Sequence, residues 1–206
     1  MHASKSALLL SALTVTTLFA GTVAEAGARE RTRTHSMSNH NGARTAQTQA
    51  SGSGVNGSYA RRRDFTSDGN GNAAASRSAS ASTVYGGTAS AQANGYRNAD
   101  GSAGRTSSAS VQNAYGSAGR SSSTSRDGAG NASHASSASV QGANGASASS
   151  TGGFTKNADG TYSGGRDTNA TGANGNSYAG STSYSNGQLT HTGTCTNAAG
   201  EVIACH

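Results

Sequence analysis

The chain has no proline and no tryptophan, only two cysteines in 206 residues, and charged side chains at just 12%. Each shortage excludes something. With no tryptophan and aromatics at 5%, there is no large anchor around which to pack a globular interior. From Thr66 onward the large apolar residues are Val84, Val111, Val140, Phe154, Leu189, Val202 and Ile203, joined by Tyr85, Tyr96, Tyr115, Tyr162, Tyr178 and Tyr184. So thin a set cannot offset the conformational entropy of ordering a domain of this length around one core. Glutamate is limited to Glu25, Glu30 and Glu201, which leaves a paired-carboxylate mechanism nowhere to sit. No G-x-S-x-G elbow occurs, and His134 and His191 stand isolated in polar sequence, so the chain does not read as an enzyme. Low hydrophobicity with abundant Gly and Ser is a signature of disorder. The missing proline and small net charge of the body point the other way, towards strands that pair and stack.

What is present is a repeat of turns. The glycines Gly69, Gly86, Gly101, Gly116, Gly128, Gly145, Gly160, Gly175 and Gly187 are spaced 17, 15, 15 and 12 apart, and then 17, 15, 15 and 12 again. A 59-residue unit thus occurs twice without insertion, carrying Gly69 onto Gly128 and Gly128 onto Gly187. The segment NADG at Asn98 falls on NADG at Asn157, and SSASVQ starts at both Ser107 and Ser136. Asn at the first position and Gly at the fourth suit a type I turn. The NG pairs at Asn94, Asn144, Asn174 and Asn186, with DG at Asp68, Asp100, Asp127 and Asp159, predict tight hairpins. Between turns, stretches such as SASAST at Ser78 alternate Ser with small apolar residues, the period of a strand.

In chain order, residues 1–26 read as a secretory signal peptide. Lys5 supplies the basic start, Ala7 to Ala20 the apolar run, and Ala24 and Ala26 an A-x-A cleavage site. Residues 27–65 read as a disordered basic stem, with seven arginines against Glu30 and Asp64. Within it Arg29, Arg31, Arg33, Arg61, Arg62 and Arg63 are candidate contacts for anionic polysaccharide, envelope or nucleic acid. A solvated charge cluster explains the same residues. From Thr66 on, seven basic residues face six acidic ones, so this reading assigns any anion attraction to the stem. Residues 66–188 are the low-complexity repeat, and no stretch after the leader is long and apolar enough for a membrane helix.

Residues 189–206 hold both cysteines, Cys195 and Cys205, at equal distances from Gly200. A hairpin turning at NAAG sets them opposite each other, and in an exported chain that predicts a disulfide closing a terminal cap. The alternative, a zinc or copper set with His191 and His206, lacks a C-x-x-C pair and would be abolished by oxidation. The Asp68 loop begins like a calcium-binding loop but has Ala73 where Gly is needed and Ala79 where Glu is needed. No cofactor or metal is expected.

The expected fold is therefore all-β where folded, a Gly/Ser/Ala meander or β-solenoid-like set of layers, with extensive disorder in the stem. In composition and turn repeat it resembles silks, and more loosely the bacterial curlins, although the regular Gln and Asn ladder positions of a curlin repeat are not evident. The expected function is that of an exported structural or surface protein of a matrix, fibre or envelope, secreted or at the cell surface, acting by self-association, spacing or adhesion. The alternatives are a periplasmic location, and a disordered basic protein that binds anionic polymers through its stem.

Overall fold

A computed structural model describes residues 29–205, so the signal-peptide segment lies outside the described residues. The chain runs through β1 (Glu30–His40), β2 (Ala43–Gly54), β3 (Gly57–Ser67), β4 (Ala73–Thr83), β5 (Thr88–Arg97), β6 (Ala103–Asn113) and β7 (Gly116–Arg126). It continues through β8 (Ala132–Gly142), β9 (Ser147–Lys156), β10 (Tyr162–Thr171), β11 (Ser177–Ser185), β12 (Gln188–Thr196) and the short β13 (Val202–Ile203). These thirteen strands form one antiparallel sheet in strict chain order. Each strand contacts only its neighbours in sequence, so the sheet is a single open layer, a meander and not a solenoid.

No core exists in the ordinary sense. Among the described residues only Ala50 and Ala93 are buried hydrophobics. Order comes instead from the backbone ladders, which run along whole strands: all eleven residues of β1 are paired with β2, and all eleven of β3 with β4. The sequence permits this because no strand contains proline and the pleat sets successive residues on opposite faces.

The basic segment expected as a disordered stem is ordered: from Glu30 onward it forms β1, β2 and β3. Polarity alone misled there. A ladder is a backbone property, and once one neighbour is in place Thr, Arg and His strand positions pair as well as Ser and Ala. Arg61, Arg62 and Arg63 lie side by side within β3 and therefore alternate between its faces.

The turns follow the glycine and Asx pattern with two departures. Asn41–Gly42 and Asn186–Gly187 have positive φ at both residues, as a two-residue type I′ hairpin requires. In NADG the Gly101 N–H donates to the Asn98 carbonyl at 3.1 Å and Gly101 takes φ +87°, and Gly160 repeats this with Asn157 at 2.9 Å. Asn94–Gly95, however, lies inside β5, paired on both sides with β4 and β6. In the loop after β7 the positive φ falls at Gly130, and Gly128 is not in that region.

Candidate functional site

Residues directly opposed across a ladder share a face of the sheet, so the continuous registers assign every strand residue to one of two faces. One carries Arg31, Arg33, Arg44, Arg61, Arg63, Arg77, Arg97, Arg105, Arg120, Arg126, Lys156 and Arg166. No strand carboxylate shares that face. Glu30, Asp64 and Asp167 all lie on the opposite one, as does Arg62. The basic face also holds Met37, Tyr59, Phe65, Val111, Val140, Phe154, Tyr162, Tyr178, Tyr184, Leu189 and Ile203, among many alanines. On the other face the only large apolar strand residues are Tyr96 and Val202.

Aromatic rings on the basic face lie against glycines of their own or a neighbouring strand. Tyr59 covers Gly52, and Tyr178 lies over Gly180 and Gly193. A glycine in a strand leaves a gap in the side-chain layer, and a ring folded across it restores contact. His134 stacks on Phe154 with ring centroids 5.5 Å apart, and Phe154 is 6.3 Å from Tyr162. The Lys156 ammonium lies 5.8 Å from the Tyr162 ring centre, within cation–π range. His134, expected to be isolated in solvent, is instead half-buried, with Nδ1 2.8 Å from the Thr124 hydroxyl.

The second face is built from hydroxyls. Ser58 and Ser82, Ser90 and Ser110, Ser121 and Ser137, and Ser125 and Ser133 form cross-strand hydrogen bonds of 2.7–2.9 Å. One pair of its charges is neutralised locally: Arg62 Nε donates to both oxygens of Asp64, at 3.0 and 2.8 Å, and Gln47 donates to the same carboxylate at 2.9 Å. These bonds, that from Arg62 foremost, hold the Asp64 pKa down to about 2. Among the described residues this is the one ion pair.

Apart from Asp167 within β10, the remaining aspartates sit at the rim. Asp68, Asp100, Asp127 and Asp159 all occupy turns at the same end of the strands. Asp68 accepts the N–H groups of Asn70 and Asn72, at 2.8 and 3.1 Å, and Asp127 those of Ala129 and Asn131, both at 2.9 Å. Hydrogen bonds from the side chains of Asn72 and Asn131, above all, lower the pKa of Asp68 and Asp127. Each asparagine also reaches the next turn on that edge. Asn72 Oδ1 accepts the Ala99 N–H at 2.9 Å, and Asn131 Oδ1 the Ala158 N–H at 2.8 Å. These four acids are thus taken up in turn making.

Cys195 and Cys205 stand at disulfide distance, with Cα atoms 5.4 Å apart. The hairpin register differs from the expected one, because the turn spans Asn197–Glu201 and pairs Cys195 with Ile203. Cys205 reaches its partner from beyond the end of β13.

Of the six stem arginines singled out in the sequence, Arg31, Arg33, Arg61 and Arg63 share the basic face, Arg62 is on the other, and Arg29 precedes β1. The sequence reading missed Arg77, Arg97, Arg105, Arg120, Arg126, Lys156 and Arg166, because their charge cancels against acids in a count along the chain. The signal was parity: in β6, Ala103, Arg105, Ala109 and Val111 alternate with Gly104, Thr106, Ser108 and Ser110. No family, no curated protein and no solved structure matches this chain. Among the described residues no helix is long and apolar enough to cross a membrane.

Proposed function

We propose that this is an exported structural or surface protein that acts by self-association, its sheets stacking in pairs through their hydroxyl faces. One observation carries the reading: the described residues fold as a single layer in which only Ala50 and Ala93 are buried hydrophobics. A layer open on both sides gains cohesion when a second covers it. With about ten residues per strand and about 4.8 Å between strands, one face spans on the order of 2,000 Å². Pairing two copies buries about 4,000 Å² in total, the range of obligate interfaces.

Electrostatics selects the face. Two basic faces brought together would set twelve cations against twelve, with no carboxylate between them. The hydroxyl face presents Ser and Thr that already bond sideways, an Arg62–Asp64 pair that is already neutral, and only two further strand charges, Glu30 and Asp167. Its short side chains allow two sheets to approach closely, and hydroxyls already paired lose less when water leaves.

Sedimentation velocity on the mature chain over a dilution series tests this. The expected species is a dimer or larger. Substituting Ser80→Glu, Ser121→Glu and Ser149→Glu on the hydroxyl face of β4, β7 and β9 shifts it to monomer. The matched set Ala81→Glu, Ala118→Glu and Ala148→Glu, on the basic face of the same strands, leaves assembly intact. A chain monomeric at every concentration, or equal effects from both sets, would sink the proposal.

A further inference from the structure

We infer that the basic face is a binding surface for a linear acidic polysaccharide, with uncharged sugar units between its carboxylates. This goes beyond self-association and does not depend on it, because stacking through the hydroxyl face leaves the basic face outward.

The first support is charge that no ion pair in the described residues answers, even where the turn aspartates Asp68, Asp100, Asp127 and Asp159 border it at one rim. Twelve cations share the face with no strand carboxylate, and the single ion pair among the described residues is on the other side. Ten of the twelve are exposed, and Arg77 and Lys156 are half-buried. Packing does not account for such a set, since no layer covers it. A polyanion neutralises it and gains further by releasing its own counterions.

The second support is arrangement. Arg44, Arg97, Arg126 and Lys156 stand in one line across the sheet, linked register by register through β2 to β9. From Arg97 to Arg126 and from Arg126 to Lys156 the line crosses two strands each time, a spacing of about 10 Å. The line continues to Tyr162, whose ring is in contact range of the Lys156 ammonium. Phe65 and Phe154 lie in the adjacent line, both partly exposed. Apolar ring faces flanking widely set cations suit a chain whose sugar rings offer C–H faces and whose acidic groups recur at intervals.

A nucleic acid fits this spacing less well. A duplex strand carries a phosphate about every 3.4 Å, so most of its charge would find no partner along the line. Its bases would also need a series of aromatic platforms, and the line from Arg44 to Lys156 ends on a single one, Tyr162.

The test is fluorescence anisotropy of labelled hyaluronate with the oxidised mature chain, beside neutral dextran and single-stranded oligothymidylate. The expected result is saturable hyaluronate binding that weakens steeply with salt, and none to dextran. Arg97→Ser, Arg126→Ser and Lys156→Ser together reduce affinity about tenfold, from modest losses at each exposed contact. Arg62→Ser, on the opposite face, changes it less than about twofold on the same reasoning. Arg33→Ser with Arg120→Ser, in a different line, gives a second loss that does not rely on one variant staying folded, and circular dichroism checks both. Dextran binding as tightly, oligothymidylate binding more tightly than hyaluronate, or folded basic-face variants binding like the parent would each overturn the inference.

Discussion

At the scale of single residues, Asp64 shows how a charge is accommodated in a chain with no interior. It accepts hydrogen bonds from Arg62, Gln47 and Ser76, on its own strand and on both neighbours, so one carboxylate ties together β2, β3 and β4. Its pKa is held to about 2, below the roughly 3.9 of an unfolded aspartate. A carboxylate depressed on folding contributes stability that is complete above the unfolded value and is lost as pH falls through the folded one. Asp68, Asp100, Asp127 and Asp159 are shifted in the same direction by hydrogen bonds within their turns. The β signal is therefore expected to decline as pH falls from about 4 towards 2. Asp64→Asn should lower stability at neutral pH and flatten that decline, as denaturant titrations monitored by circular dichroism at pH 7 and pH 3 would show. A decline that begins above pH 5 would assign acid sensitivity to other groups.

At the scale of the element, turns rather than strands carry the specific information. Strand residues are nearly interchangeable among Ser, Ala and Thr, whereas the turns have positions only one residue type fills. Gly116 has φ +143°, and a Cβ there would run into the carbonyl of Gln141 in the next strand. Gly57 stands in the same relation to Ser82, with φ +132°. Gly145 also has positive φ, +86°, but a Cβ there meets nothing within 4 Å. Alanine at Gly145 should cost about 1 kcal/mol, the backbone strain alone. At Gly116 the cost should exceed about 2 kcal/mol, because a backbone carbonyl must also move. Urea unfolding of both variants measures the difference, and equal costs would show that the close approach is relieved freely. The pair Asn94–Gly95 shows the limit of such motifs: an NG dipeptide inside a strand of full pairing length is not a turn when NADG follows at once.

At the scale of the whole molecule, the sheet is close to one-dimensional. Among the described residues no strand meets any but its sequence neighbours, so stability there is a sum of hairpin terms with no closing contact between β1 and β13. A chain ending at Thr171, without β11 to β13, should keep the β signal per residue of β1 to β10, again read by circular dichroism. Collapse to coil would reveal a dependence on the C-terminal hairpins that nearest-neighbour pairing does not contain. The ends also differ. β1 offers an edge of eleven exposed residues, while β12 is covered only at Cys195 and Thr196 by β13. Open edges of this kind are where further copies add sideways, which is a second direction of growth beside stacking.

The all-β class, the hairpin punctuation and the absence of a core were determined by the sequence alone. They depend on local quantities: Asx–Gly turn chemistry, period-two alternation, and too few large apolar side chains. Order in the basic N-terminal segment was not legible, because its Arg, Ser, Asn and Gly carry little strand signal of their own and pair only where a neighbouring strand offers its ladder. The basic face was written in the parity of each strand, but became a surface only when the register aligned Arg44, Arg97, Arg126 and Lys156 across strands far apart in the chain. Composition reports net charge, and acids and bases cancel in it. Tertiary structure separates them, sending the bases to one face and the aspartates to turns and to the other face, because antiparallel pairing fixes which side of the sheet each residue must take.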